Sequence, residues 1–242
     1  MYELVLLALL TLAASAVGTL SGFGTSTIMV PVLTLFFPLP LTLLFVGVIH
    51  LFGDLWKMLL FRKGLDWRLV LSFGAPGVLL SYVGAELSVG ADAAILERLL
   101  GAFLLLYVLF LFRHESWRLP QSTAVAVSGG ALSGFFAGLF GVGGAIRSTF
   151  LAAFNLPKET YIFVSGAVAL VIDLVRVGTC LGEGVRLETM LLYGMAAFVP
   201  ISLLGAFLAK KVVNRIPQRT FRLVIAVLLG LIGIRFLLFP QR

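Results

Sequence analysis

Gly22-Phe23-Gly24-Thr25-Ser26-Thr27-Ile28-Met29-Val30-Pro31 interrupts an apolar run in which residues 4–53 include no Asp, Glu, Lys or Arg. An altered copy, Phe140-Gly141-Val142-Gly143-Gly144-Ala145-Ile146-Arg147, breaks a second such run over residues 119–146. Backbone in lipid must satisfy its own hydrogen bonds, so a glycine-rich break at membrane depth is tolerated only where it is buried in protein or lines a cavity. Two of them at corresponding places in two halves point to the substrate site of a secondary transporter.

The rest of the chain fits a membrane setting. Of 242 residues, 60% are hydrophobic and 12% charged, against about 45–50% and about 25% in soluble domains. Several stretches meet the roughly 20-residue apolar requirement for a spanning helix, and no soluble domain fits in what remains. The net charge of +7 does not point to nucleic acid, because the basic residues sit in short loops between apolar spans, where they mark the cytoplasmic side. Cys180 is the single cysteine; it cannot form an intrachain disulfide and reads as packing. The start resembles a secretion signal around Ala14-Ser15-Ala16 but lacks a basic lead and runs on into the glycine break, so it reads as a retained helix. No cofactor motif is present.

In order, residues 4–20 form a first apolar helix and residues 25–37 a short arm. That arm is about 20 Å long at about 1.5 Å per residue, too short for a hydrocarbon core of about 30 Å. Spans follow at residues 41–60, 69–87 and 93–112, with Asp92, Glu97 and Arg98 in the loop before the last. The second half repeats this with a span at 123–140, an arm at 145–154, and spans at 161–181, 189–209 and 222–239. Trp56, Trp67 and Trp117 lie near segment ends and read as interfacial anchors. Phe23 aligns with Phe140, Gly24 with Gly141, Pro40 with Pro157, Asp54 with Asp173, Gly64 with Gly184 and Gly84-Ala85 with Gly205-Ala206, with an offset that drifts slowly. This is the mark of a duplicated unit.

The expected fold is therefore an all-α polytopic membrane protein of two repeats, residues 1–118 and 119–242, each with about five helical segments. Short helices or re-entrant hairpins are expected at 22–37 and 141–156. Charge sets their relative orientation. The loop after the third segment carries Arg62, Lys63 and Arg68 against Asp66 in the first copy, but Glu183 and Glu188 against Arg186 in the second; the next loop reverses the bias, ending in Lys210, Lys211, Arg215 and Arg219. Corresponding loops then face opposite sides, which makes the repeats inverted. Both termini are expected outside, although Arg235 and Arg242 lean the other way.

Helices restarting at the breaks offer free N–H groups and a positive dipole end, which suits an anion. Gly24, Thr25, Ser26 and Thr27 at the first break, and Gly143, Gly144, Arg147 and Ser148 at the second, are the expected substrate-binding residues. The alternative is that the glycines only let helices pack closely. An intramembrane arginine costs a few kcal/mol or more, so Arg147 must face a partner or an aqueous cavity, and its planar fork suits an oxyanion. Pairing with Asp54 or Asp173, or snorkelling, are the structural readings. Asp54 with Lys57 and Asp173 with Arg176 place an acid and a base at i and i+3 on one helix face, as a local ion pair. The functional reading makes His50, Asp54, Asp173 and Arg176 coupling or gating groups for protons or sodium, with His50 one turn before Asp54. Ser165, Asn155 and Ser21 are weaker cavity donors.

With both breaks in view, the chain resembles the TauE/SafE family of sulfite and organosulfonate exporters. The resemblance rests on Gly22-Phe23-Gly24 leading into Ile28-Met29-Val30-Pro31, and on Gly138-Leu139-Phe140-Gly141-Val142-Gly143-Gly144, and covers the whole chain. The family usually carries glycine where Thr25 and Ser26 stand, and an apolar residue followed by proline near Arg147-Ser148, so this site is set by hydroxyls and one arginine. The resemblance implies transport of a small sulfur-containing anion, sulfite or a short sulfonate such as sulfoacetate, across a plasma membrane. A passive anion channel, a transporter of a non-sulfur carboxylate and an intramembrane serine hydrolase using Ser26 and His50 are the alternatives. A homodimer in the bilayer is expected.

Overall fold

The computed structural model describes residues 2–21, 24–113, 118–212 and 218–240; Gly22, Phe23, Trp117 and Arg215 lie outside the described residues. Ten α-helices and one 3-10 turn make up the described chain: α1 (Tyr2–Ser21), α2 (Ser26–Leu33), α3 (Leu39–Leu60), the turn Arg62–Gly64, α4 (Trp67–Gly90) and α5 (Ala93–Arg113). Then come α6 (Thr123–Phe140), α7 (Gly143–Ala153), α8 (Lys158–Gly182), α9 (Thr189–Val212) and α10 (Gln218–Leu238). Six of them are long and apolar enough to cross a bilayer. Leu71, Leu79, Leu106, Leu192, Leu204 and Leu231 cover the outside with exposed apolar surface, which lipid accepts and water would not. The chain is an all-α polytopic membrane protein.

Local chemistry sets the helix starts. Asp66 Oδ1 accepts from Leu69 N at 3.0 Å and Asp92 Oδ1 from Ile95 N at 3.0 Å, each satisfying an orphan N–H of a first turn. Because Asp92 caps α5, Glu97 falls inside that helix and is buried rather than in the loop the sequence suggested. Pro38 and Pro157 precede α3 and α8 with nearly identical backbone angles, φ −54 and ψ 143 against φ −53 and ψ 141. The structural register therefore pairs Pro38, not Pro40, with Pro157. That brings the prolines to the same offset as Asp54 and Asp173.

Helix pairing follows one rule. Exchanging α1–α5 for α6–α10 maps the most extensive contacts onto one another: α1 on α9 becomes α6 on α4, α3 on α9 becomes α8 on α4, and the pairs α3–α8 and α5–α10 map to themselves, while the smaller contacts α6–α8, α2–α10 and α3–α4 lack a counterpart of similar extent. The α4–α6 crossing is the closest, with Gly77, Gly130, Gly134 and Gly138 set against backbone atoms of the other helix, the small-residue contact that lets membrane helices approach. The helices α3 and α8 are the two most buried of the six long apolar ones. They run antiparallel: Gly64 sits against the backbone of Glu159, His50 against Asp173, and Gly47 against Arg176 and Val177.

The helices α6 and α7 form a hairpin. Ser133 Oγ donates to Gly143 O at 2.9 Å near the turn, and Leu119 N donates to Ala153 O at 3.2 Å where the ends meet again. At about 1.5 Å per residue, α7 is too short to span, so the second arm re-enters. The first arm is shorter still, since α2 stops at Leu33.

Candidate functional site

Both breaks turn on a glycine with φ in the left-handed region, Gly24 at 81 and Gly141 at 71, where a side chain would be strained. Gly24 N donates to Gly18 O at 3.3 Å and Gly141 N to Ala137 O at 2.9 Å, closing each turn. The helices that restart, α2 behind Thr25 and α7 behind Val142, have no side-chain cap. Thr25, Ser26, Thr27, Gly143 and Gly144 are all buried. Two uncapped helix N-termini thus point their first-turn N–H groups into the protein interior.

Arg147, on the second turn of α7, is 1% exposed. Its Nε donates to Ser165 Oγ on α8 at 3.2 Å and its Nη1 to Ser133 Oγ on α6 at 3.4 Å. Nη2 is buried without a hydrogen-bond partner, and among the described residues no carboxylate forms an ion pair with Arg147. The pairing with Asp54 or Asp173 that the sequence left open is not made. Ser148 is buried beside it, but its hydroxyl donates to Ala145 O at 3.0 Å in its own helix.

The carboxylates serve a separate ladder between α3 and α8. Lys57 Nζ donates to Asp54 Oδ1 at 2.8 Å, and Arg176 Nη2 lies 2.7 Å from Asp173 Oδ1 as an ion pair without hydrogen-bond geometry. Both i, i+3 pairs therefore form. His50 joins them, with Nδ1 2.5 Å from Asp173 Oδ2 and 3.5 Å from Asp54 Oδ2. Its other nitrogen, Nε2, is buried without a partner and faces Gly24, where any side chain would collide with it. At the opposite end Arg176 Nη1 donates at 3.3 Å to Ala137 O, the carbonyl that also closes the Gly141 turn. The ladder therefore runs from one break to the other.

Three bases, Lys57, Arg147 and Arg176, lie buried on α3, α7 and α8 with the two carboxylates Asp54 and Asp173, while the buried Glu97 sits apart on α5. The cluster is cationic with His50 neutral, and burying an uncompensated charge is costly. His50, Asp54 and Asp173 bring one ligand atom each within 4.8 Å of the others, but the bases beside both carboxylates already neutralise them and repel a metal cation.

Other sequence readings fall elsewhere. Asn155 is exposed at the exit of the hairpin and takes no part. Ser165 is engaged, whereas Ser133, which sequence reading did not single out, holds both Arg147 and Gly143. It lies in the small-residue stripe of Gly129, Gly130 and Gly134 and so looked like packing. Ser26 is buried, but His50 Nε2 makes no hydrogen bond, so it does not hold a serine as a general base would. Trp67 is exposed at the start of α4, while Trp56 stacks on Phe52 with ring centroids 6.3 Å apart.

Comparison with known proteins points to membrane transporters. The chain is 25% identical to a probable membrane transporter protein of Methanocaldococcus jannaschii, over 91% of this chain and 90% of that protein. The pattern of the family described as sulfite exporter TauE/SafE matches residues 7–236, nearly the whole sequence. The chain therefore belongs to the sulfite exporter TauE/SafE family of membrane transporters.

Proposed function

We propose that this protein is a secondary transporter of a small sulfur-containing anion, sulfite or a short organosulfonate, across the plasma membrane by alternating access. The observation that carries the reading is Arg147: a buried guanidinium held by two serine hydroxyls, with one nitrogen free and, among the described residues, no carboxylate in ion-pair contact with it. A sulfonate or sulfite presents oxygens that a fork of this kind and two helix N-termini can hold together. The test is direct. Sulfite and methanesulfonate should raise the melting temperature of the purified protein, since a ligand at about 100 times its Kd stabilises the folded state by about 2.7 kcal/mol. Equal shifts from acetate would favour the carboxylate reading, and no shift from any of these anions would remove the anion site.

Alternating access asks for two related halves around the site. The antiparallel course of α3 and α8, together with contacts that survive exchange of the halves, supports an inverted repeat with an axis in the membrane plane. Lys210 lies over the Phe61 ring with its Nζ 5.5 Å from the centroid. The basic ends of α3 and α9 therefore share one face of the bundle, which we place on the cytoplasmic side with both termini outside. Gly64 is unsuitable for labelling because it is packed against the Glu159 backbone. Single cysteines at the exposed positions Lys63 and Glu183, in a Cys180→Ala background, should react with impermeant reagents from opposite sides. Labelling from one side would rule out the inverted arrangement. Gradient-independent flux would identify a passive channel instead.

A further inference from the structure

We infer that His50 takes up one proton at Nε2 and that this proton and the anion bind together, so that the two cross the membrane in the same direction. The inference rests on the anion-transport reading above and adds the coupling ion, its binding atom and the sign of the coupling.

Position assigns the proton. Nδ1 faces carboxylate oxygens of Asp173 and Asp54 at 2.5 and 3.5 Å, so it carries hydrogen in both the neutral and the charged ring. The nitrogen that changes state is Nε2. It is buried, has no partner, and abuts Gly24 at the first break. Protonation places a new N–H donor there, beside the uncapped start of α2. The proton adds to the Nε2 lone pair and nothing else is exchanged.

The neighbouring charges decide the sign of the coupling. On α3 His50 is flanked by Asp54 and Lys57; from α8 it is faced by Asp173 and Arg176; Arg147 on α7 is a further buried charge, and Glu97 on α5 is buried but does not act on Arg147. The helix α2 brings only the hydroxyls of Ser26 and Thr27, next to that of Thr25. The ionisable residues of α9, Tyr193, Lys210 and Lys211, are exposed, as are Arg68 and Tyr82 on α4, while Glu86 is half-exposed. Asp54 and Asp173 are each already matched by a base, so a proton on His50 adds a second positive charge beyond those pairs in a low-dielectric cluster. An anion held at Arg147 and the breaks offsets that charge. By linkage the proton strengthens anion binding by the same factor. Exchange in opposite directions would need proton and anion to compete for one group, for instance a carboxylate paired with Arg147, and no such pair exists among the described residues.

Isothermal titration of the full-length protein with methanesulfonate, which stays a monoanion across the range, counts protons when run in two buffers of different ionisation enthalpy. Wherever His50 is uncharged in the anion-free protein, about one proton should be taken up per anion bound, and there anion affinity should fall as pH rises. His50→Gln should still bind methanesulfonate, with no proton uptake and a flat pH profile. Binding without proton uptake in the wild type, or with proton release, overturns the inference and leaves the anion reading standing. Uptake that persists in His50→Gln also overturns it, because another group then carries the proton. If neither methanesulfonate nor sulfite binds, the anion reading itself fails and takes the inference with it. The wild-type proton count does not depend on the variant folding.

Discussion

Replacing Arg147 with methionine should weaken sulfite or methanesulfonate binding by roughly ten- to 150-fold, while the melting temperature without anion stays level or rises. The first number follows from hydrogen bonds to charged groups, worth about 1.5–3 kcal/mol. The second follows from burial: Arg147 is 1% exposed with two serine partners and no carboxylate in direct ion-pair contact, so the folded protein without anion carries a desolvation cost that methionine removes at similar volume. Arg147→Lys separates charge from shape. It keeps the positive charge but not the fork that reaches Ser133 and Ser165 together, so affinity should fall between wild type and Arg147→Met. Paired melting curves with and without anion read both effects in one experiment. A large loss of stability in Arg147→Met with unchanged affinity would make the arginine a structural residue and sink the anion site.

What was legible in the sequence was whatever is written locally. The spans, the two glycine breaks and the acid–base pairs at i and i+3 depend on residues within a turn or two of one another, and each stands close to where its pattern put it. The isolation of Arg147 was equally readable, because an arginine after a long uncharged run is conspicuous whatever it touches. The partners were not. His50 meets Asp173 only because α3 and α8 pack antiparallel, and local periodicity says nothing about which helices become neighbours. Ser133 was hidden by its surroundings, since a serine among glycines on a closely packed helix has the same signature as a packing residue. The register of the repeat slipped for a similar reason: Pro38 and Pro40 are equally plausible helix openers, and only the backbone angles shared with Pro157 distinguish them.

The two carboxylates occupy matching places in the two halves, yet their loss should not be equivalent. Asp173→Asn should destabilise the protein by about 3–5 kcal/mol, the cost of breaking a buried ion pair from one side, and Asp54→Asn by clearly less. Asp173 carries two dependants: Arg176, which is fully buried, and His50 Nδ1 at 2.5 Å. A guanidinium cannot shed its proton, so Arg176 would remain charged with only the Ala137 carbonyl to hold it. Lys57, left behind by Asp54→Asn, can lose its proton and become a neutral amine, and His50 would keep its shorter contact to Asp173. Adding Arg176→Gln to Asp173→Asn should recover much of the lost melting temperature, since removing both members of a buried pair costs less than removing one. Equal losses from the two single substitutions would mean that the ladder tolerates either break alike. The second half of the repeat would then have no special hold on the histidine.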